Sequence, residues 1–424
     1  MPETHLALHG GDPVVAEPPD WPQRGPLEAR MLREVLDDGQ WSLHGGTRCT
    51  RFESRFAALQ GLGRVLTVSN GTAALQLACE ALGLGPGDEV IVPGLTRPGT
   101  AGAVLDANAV PVLVDVDPDT WCLDPAAVEA AVTERTRAIV AVHLYGTMPD
   151  LMALAALSAR YGLALIEDCA HAAGARWDRH GAGSVGTLSC FSFGMTSTLT
   201  AGEGGCVATA DPLLAGRLSG LRDRGRPPAG SPLGWRPLQG GNHRMTEWQA
   251  AVLLAQCERF AEQRERREAV TRRWREAALA CGFLHPARLL PEVERPPGQA
   301  LALSYVPGTD LLGDLPVATV RAALAAELRV PVEACYRPLD TSPAYLPHSK
   351  PRHHLSQEYW EAIAPGRARL PHCARLYESS VVLPHTAMLR PGAEDHLPQA
   401  LDRLACHADQ LRDRAATGRR KAAA

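Results

Sequence analysis

The sequence RVLTVSNGTAALQLACEALG, residues 64–83, contains the unit that decides the fold. Its first five residues, Arg64–Val68, form a short apolar run, which predicts a strand. The polar residues SNGT (69–72) follow and end that run. Alanine and leucine then recur at helical spacing from Ala74 to Leu82, and Gly83 is a typical residue for the end of a helix. The segment therefore predicts a strand, a turn and a helix.

Similar units follow as far as residue 209. The apolar runs are EVIVP (89–93), PVLVDVD (111–117), AIVAVHL (138–144), LALIED (163–168), SCFSF (189–193) and GGCVAT (204–209). Helical patterns, such as Asp124–Glu134 and Asp150–Tyr161, lie between several of them. Apolar strands separated by helices predict an α/β fold with a mostly parallel sheet covered on both faces. Ligands of such sheets bind at the carboxyl ends of the strands.

The second half of the chain has weaker alternation and many prolines. Thr246 and Gln249 form a capping-box pattern, and a helix is expected from about Glu247 to Leu279. We interpret this helix as a bridge between two domains. The predicted domains are a large one over residues 1–250 with the N-terminal segment, and the bridging helix with a smaller C-terminal α/β domain over 251–411. Residues 412–424 are expected to be a disordered tail whose arginines are solvated.

Composition excludes several classes of protein. The chain has 424 residues, 45% of them hydrophobic, and a net charge of -4, which gives no electrostatic reason to expect nucleic acid or a membrane as partner. We see no signal peptide and no apolar stretch of the length of a membrane span. The eleven cysteines are scattered without a CxxC pair, which indicates reduced cytoplasmic thiols rather than disulfides or a metal site. We therefore expect a cytoplasmic protein.

Two polar segments at predicted strand ends suit a cofactor. The backbone N–H groups that follow Asn70, with the Thr72 hydroxyl, form an anion site suited to a phosphate. An ordinary helix cap is an equal alternative. Asp168, at the end of LIED, is able to hold a pyridinium nitrogen protonated. Its alternative is a buried carboxylate that caps the next helix.

Together these segments resemble the DegT–StrS family of sugar aminotransferases that depend on pyridoxal phosphate (PLP). The similarity runs through LALHGGDPVV, ALGLGPGDEVIVP, VDVDPDTWCLDP, LIEDCAHAAGA, FSF…LTAGEGG, GNHRMTEWQAA and VVLPH, and so covers nearly the whole chain. The opening and LTAGEGG are most similar to the branch that acts on keto-cyclitols (inososes) and makes 3-amino-5-hydroxybenzoate. The resemblance implies a PLP fold-type-I large domain.

The resemblance also implies roles for individual residues. A keto-sugar or keto-cyclitol is the implied substrate, and the active site is completed across a dimer interface. Gly71, Thr72 and Ser192 would contact the cofactor phosphate, and Asn242 would contact the phosphate bound in the neighbouring subunit. Asp168 would contact the pyridine nitrogen, and His171 would lie near the phenolic oxygen of the cofactor.

Two positions depart from the family pattern. The pattern has a lysine five residues after Ser192, where this chain has Ser197, and no gap separates Ser197 from the flanking motifs. The chain contains only two lysines, Lys350 in a proline-rich loop and Lys421 in the tail. The pattern also has an aromatic residue after Thr96 that stacks on PLP, where this chain has Arg97. A guanidinium is able to stack in its place, to bind an anion on another ligand, or to be a surface group on a shifted loop.

Without the lysine, ordinary transamination is expected to be severely impaired, since a serine hydroxyl neither forms the covalent link nor acts as a base near neutral pH. His171 or a group on the substrate would have to serve as the base. Our leading hypothesis is an enzyme of sugar or cyclitol secondary metabolism that binds PLP or its aminated form, PMP, non-covalently. It would perform an amino-group or elimination step on a keto-sugar or keto-cyclitol. The second is a non-catalytic paralogue that forms a heterodimer with a lysine-bearing relative, rather than a homodimer. The third is a PLP-independent enzyme that uses Ser197 as nucleophile or hydrogen-bond donor.

Overall fold

A computed structural model describes residues 5–226, 238–309, 311–312 and 315–412. Its twelve helices, numbered in chain order among the described residues, are α1 (Pro26–Asp38), α2 (Arg48–Gln60), α3 (Gly71–Leu82), α4 (Pro98–Asp106), α5 (Pro125–Ala131), α6 (Leu151–Tyr161), α7 (Pro212–Arg222), α8 (Glu247–Cys281), α9 (Val317–Leu328), α10 (Gln357–Ala362), α11 (Pro371–Ser379) and α12 (Ala393–Cys406).

The strands of the described residues form three sheets. The seven-stranded sheet contains β1 (Arg64–Val68), β2 (Glu89–Pro93), β3 (Val110–Val114), β4 (Thr136–Val142), β5 (Ala164–Asp168), β8 (Leu188–Ser192) and β9 (Gly205–Thr209). The other strands are β6 (Arg176–Trp177) and β7 (His180–Gly181), which form a small hairpin, and β10 (Leu284–Pro286), β11 (Ala300–Tyr305) and β12 (Ser380–Pro384), which form an antiparallel sheet.

The large sheet is mostly parallel, as the sequence predicts. Its strand order is β1-β9-β8-β5-β4-β2-β3, and β9 runs antiparallel to both of its neighbours. The remaining pairs are parallel. Strands β2 to β5 are almost wholly buried because helices cover the sheet. The α/β fold class is therefore confirmed.

The predicted helix boundaries agree with the structure to within a few residues. Asn70 caps α3 by accepting a hydrogen bond from the Ala73 N–H (2.8 Å), and Gly83 ends that helix in the left-handed conformation, with φ of 77°. The helix expected over 247–279 is α8, and its capping box at Thr246 and Gln249 is present. These local signals are strong because the capping residues satisfy backbone N–H and C=O groups that have no partner within the helix.

The small sheet has a hydrophobic cluster on one face, while Ala300, Ala302 and Val382 on its other face join the cluster of the large sheet. The cluster of the small sheet includes Trp274 of α8, strand residues such as Leu303, and also Leu6 and Val15 of the N-terminal segment. The proposed domain boundary at residue 250 lies inside α8, and it stays a prediction. The predicted tail lies outside the described residues apart from Arg412. Within the described ranges, no helix combines the length and apolar character needed to cross a membrane.

Candidate active site

A cavity of about 940 Å³ opens where β5 and β8 end and α3 begins. This volume suits a cofactor-sized ligand together with a small substrate. Seven of the eight residues predicted from the sequence line it: Gly71, Thr72, Arg97, Asp168, His171, Ser192 and Ser197. The fold therefore brings together residues that are up to 126 positions apart, counting from Gly71 to Ser197.

Strand alternation explains why Ser192 reaches the cavity. Phe191 and Phe193 point to one side, where both rings make edge contacts with Phe56 at centroid distances of 4.9 and 5.2 Å. The residue between them must face the other side of the strand, which is the cavity. The pattern FSF thus anchors β8 with its two aromatic rings and presents one hydroxyl.

Two glycines allow the helix start and the strand ends to approach closely. A Cβ atom on Gly71 would lie 2.8 Å from the Ser192 Cβ, and one on Gly205 would lie 2.5 Å from the carbonyl carbon of Asn70. The first N–H groups of α3 have no acceptor within the helix. They lie beside the Ser192 hydroxyl, and together they form an anion cradle at the end of the cavity.

Asp168 is the buried carboxylate of the cavity. The Thr100 hydroxyl donates to its Oδ2 over 3.0 Å, and the Ala170 N–H donates to its Oδ1 over 3.1 Å. Burial raises the pKa of Asp168, and these two hydrogen bonds oppose that effect only in part. A carboxylate whose charge is poorly compensated favours a cationic partner, and a protonated ring nitrogen is one.

Glu167, next along β5, faces away from the cavity and has a structural role. Its carboxylate accepts hydrogen bonds from the N–H groups of Gly183, Val185 and Gly186, and His143 Nε2 lies 3.0 Å away. Burial alone would raise its pKa, but these contacts lower it. His143, Glu167 and Cys169 lie close enough together to hold a metal ion, yet these hydrogen bonds already occupy the carboxylate. We propose no metal there.

His171 belongs to a hydrogen-bonded chain at the side of the cavity. The Tyr145 N–H donates to His171 Nδ1 over 3.4 Å, which assigns the proton of the neutral ring to Nε2. This Nε2 lies 3.3 Å from the hydroxyl oxygen of Tyr336, which also accepts from Arg97 Nε over 2.8 Å. Burial and the Arg97 charge lower the pKa of His171 to about 3. The imidazole is therefore neutral at pH 7 and is a weak base.

Ser197 lies in the short loop that follows β8. Its backbone N–H donates to the Gly194 carbonyl over 2.9 Å, and the residue is buried apart from its exposure to the cavity. Lys350, the only lysine that the structure describes, is exposed elsewhere and pairs with Asp106 at 3.0 Å. No described lysine lines the cavity.

Comparison with known proteins identifies the relatives of this fold and site. The model of the DegT/DnrJ/EryC1/StrS aminotransferase family matches residues 22–401. The chain belongs to this family. The family is PLP-dependent, which agrees with a cavity that pairs an anion cradle with a buried carboxylate.

Among its relatives are aminotransferases of keto-cyclitols. The chain is 41% identical to an L-glutamine:2-deoxy-scyllo-inosose aminotransferase of Streptoalloteichus tenebrarius, over 96% of this chain and 99% of the relative. It is 40% identical to an L-glutamine:scyllo-inosose aminotransferase of Streptomyces griseus, over 92% and 94%. The structure of 3-amino-5-hydroxybenzoic acid synthase superposes with a TM-score of 0.80 at 33% identity, covering 93% of this chain and 99% of the synthase. These findings confirm the resemblance that the sequence carries.

Asn242 is the predicted site residue that lies outside the cavity. It is exposed and forms a bridge to Asp223, while its neighbour His243 lines the cavity and accepts at its carbonyl from the Ser69 N–H (2.8 Å). This position agrees with the role across a dimer interface that the DegT/StrS resemblance implies. That role stays a prediction.

Sequence reasoning missed three residues of the site. Thr100 holds Asp168, Tyr336 contacts both Arg97 and His171, and the side chain of Gln299 binds the Thr196 carbonyl and the Thr198 N–H on either side of Ser197. Thr100 lies four residues after Thr96, and the two hydroxyl oxygens are 3.0 Å apart, but this spacing is only a weak signal in the sequence. No local pattern indicates a role for Tyr336 or Gln299. Each lies more than 100 residues after the segment that it contacts, which is the start of α4 for Tyr336 and the loop after β8 for Gln299.

Proposed function

We propose that this protein binds PLP or PMP without a covalent link and carries out an amino-group or elimination step on a keto-cyclitol or keto-sugar. One observation carries the proposal. The cavity retains the anion cradle at Gly71 and the buried carboxylate of Asp168, whereas Ser197 stands where the resemblance places the covalent lysine.

The residues present fit the phosphate of the cofactor. A Cβ atom on Gly71 would crowd Ser192, so glycine lets the start of α3 lie against the strand end that carries the Ser192 hydroxyl. The N–H groups at the start of α3 and the hydroxyls of Thr72 and Ser192 are all hydrogen-bond donors. A phosphate is the ligand for which such a donor set is suited.

The residues also fit a protonated pyridine ring. Asp168 would hold the proton on the ring nitrogen, and Thr100 and Ala170 fix the direction of its two oxygens. When bound, the cofactor supplies an electron sink for bonds at the substrate carbon. Arg97, at the cavity mouth, stands where the resemblance places the aromatic residue that covers the ring.

The relatives support a polyhydroxylated ring ketone as substrate. Their names state scyllo-inosose or its 2-deoxy form as acceptor and L-glutamine as amino donor. We extend the class, a keto-cyclitol, to this chain. We do not extend the amino donor, because the covalent lysine is central to the half-reaction that takes an amino group from an amino acid.

The weakness of His171 as a base favours a second candidate, a non-catalytic partner of a lysine-bearing aminotransferase. His171 has a pKa of about 3, and both of its nitrogens have neighbours in Tyr145 and Tyr336. It is therefore better suited to position Tyr336 than to move a proton. The exposed Asn242 would then serve the partner's phosphate site. A PLP-independent enzyme that uses Ser197 has less support, because no described base contacts Ser197.

An absorption spectrum tests the proposal. Purified protein is titrated with PLP and, separately, with PMP, then treated with borohydride and analysed by mass spectrometry. We expect saturable binding and no pyridoxyl adduct on the chain. An adduct on Lys350 or Lys421 would contradict non-covalent binding, and no binding of either form would contradict the whole proposal. If both forms bind but no amino transfer or elimination occurs until a lysine-bearing relative is added, the second candidate is correct.

A further inference from the structure

Arg97 is held in one position at the mouth of the cavity. It precedes Pro98, the first residue of α4, and its Nε donates to the Tyr336 hydroxyl over 2.8 Å. The guanidinium carbon also lies 5.6 Å from the centre of the Tyr336 ring. A side chain fixed in this way loses little further freedom when it binds a ligand.

Arg97 has no ion-pair partner in the part of the chain that the structure describes, and the Asp168 charge acts on it only from beyond ion-pair distance. No carboxylate there forms an ion pair with it, and the hydrogen bond of Nε leaves both terminal nitrogens without a described acceptor. Asp168 lies in the same cavity, but its charge would be matched by a protonated ring nitrogen. Arg97 then keeps two outward N–H edges that suit an oxyanion.

The Tyr336 hydroxyl adds a third donor. Its oxygen already accepts from Arg97 Nε and lies 3.3 Å from His171 Nε2, which carries the proton of the neutral ring. With its oxygen occupied twice, the Tyr336 O–H proton is directed to a further acceptor. Tyr336 lines the cavity, so a ligand bound beside Arg97 is able to accept that proton. Arg97 and Tyr336 therefore present three hydrogen-bond donors to the cavity.

We propose that Arg97 and Tyr336 form an oxyanion subsite, so that the ring ketone bound in this cavity carries a carboxylate or a phosphate. This inference rests on the proposed function and names the class of substrate for the same cavity. A neutral inosose would leave the guanidinium partly desolvated without a counter-ion, whereas an anionic ring would pair with it. The subsite is distinct from the cradle at Gly71 and Ser192, which would hold the cofactor phosphate.

Calorimetric titration of the PMP-loaded protein tests this subsite with matched probes. The probes are 3-oxocyclohexane-1-carboxylate and its neutral carboxamide, followed by myo-inositol 1-phosphate and myo-inositol. We expect each anion to bind at least about tenfold more tightly than its neutral counterpart, as a charge-assisted hydrogen-bond pair provides. The pair with the larger ratio identifies carboxylate or phosphate as the natural group. Equal affinities within both pairs would overturn the proposal.

Three variants locate the effect. Arg97→Gln removes the charge and is expected to abolish the preference, whereas Tyr336→Phe retains the charge and reduces the preference about threefold to tenfold. Lys350→Gln removes one positive charge from an exposed position away from the cavity, so it should leave the preference unchanged. A preference that survives in Arg97→Gln would refute the subsite.

Cofactor binding, measured by absorbance on the same samples, separates this inference from the proposed function. Anion preference without PMP binding would refute the proposed function but support the subsite. PMP binding without anion preference would support the proposed function but refute the subsite. If Arg97→Gln instead weakens PMP binding and the probes show no preference, Arg97 serves the cofactor and the subsite is refuted.

Discussion

The substitution Ser197→Lys tests the central departure from the family pattern. The sequence between Ser192 and Gly202 has no gap relative to that pattern, and Ser197 faces the cavity that Asp168 also lines. A lysine at this position should therefore reach a bound PLP aldehyde and form a Schiff base. The longer side chain extends into a cavity of about 940 Å³, so its packing cost should lie at the low end of about 1–3 kcal/mol.

The expected gain follows from the covalent tether. An unlinked ligand gives up translational and rotational freedom worth about 4–15 kcal/mol each time it binds. A tethered cofactor avoids most of that loss, and even the lower figure corresponds to roughly a 10³-fold tighter retention. We therefore expect the wild-type protein to lose PLP on extended dialysis and the Ser197→Lys variant to keep it.

The assay is borohydride reduction followed by peptide mass spectrometry, with the absorption band followed against pH. Met195→Lys is the matched control, because Met195 lines the same cavity from the same loop and is 50% exposed, so a lysine there should be tolerated. We expect a pyridoxyl adduct at position 197 and none at 195. If the Ser197→Lys variant folds and binds PLP but forms no adduct, or if only Met195→Lys forms one, the placement of Ser197 at the lysine position is wrong.

Three further predictions follow from the same site. In the presence of cofactor, light scattering at micromolar concentration should give twice the mass of one chain, because the exposed Asn242 is expected to complete a neighbour's site; a monomer would contradict this. Gly71→Ala should lower the free energy of unfolding by about 1–3 kcal/mol and weaken PMP binding, since its Cβ would lie 2.8 Å from Ser192, whereas Gly102→Ala, in open space inside α4, should raise stability by up to about 1 kcal/mol without changing PMP binding. Urea denaturation and absorbance titration measure both effects, and a stable Gly71→Ala variant with normal binding would refute the cradle. Asp168→Asn should stabilise the cofactor-free protein at pH 7, because the pKa of Asp168 is higher in the folded than in the unfolded protein. The wild type therefore loses stability as the pH rises through these two pKa values, whereas the variant does not. The difference should vanish below pH 3, and the variant should bind PMP more weakly. An Asp168→Asn protein that melts below the wild type at pH 7 would contradict this account.

The fold was predictable because each strand and helix carries its own local signal. EVIVP coincides with β2, Gly83 ends α3, and the capping box at Thr246 begins α8. The reversed direction of β9 was not predictable from such signals. Its run GGCVAT has the same apolar pattern as a parallel strand, and its direction depends on pairing with β1 and β8, which lie far away in the sequence.

The site was only partly predictable, for a similar reason. Asp168 and Ser192 end apolar runs, so their place at the carboxyl ends of strands follows from the alternation alone. What surrounds them depends on distant segments. Tyr336 determines how Arg97 and His171 are held, and no pattern in its own neighbourhood reveals this. The low pKa of His171 likewise results from burial by those segments.

The two departures from the family pattern compensate for each other in charge. At position 197 the resemblance expects an amine, which would be a cation in its linked form, and at position 97 it expects a neutral aromatic ring. This chain has a neutral hydroxyl and a guanidinium instead, so the cavity keeps one positive charge while that charge moves from the loop after β8 to the start of α4. The Asp168 carboxylate has two hydrogen bonds, but they offset the cost of its burial only in part. A cavity that had lost its ligand would have no physical reason to maintain both a buried anion and a fixed cation. We therefore infer that the pocket is adapted to a different ligand arrangement rather than abandoned, which favours a bound cofactor with an anionic substrate over chemistry that does without the cofactor.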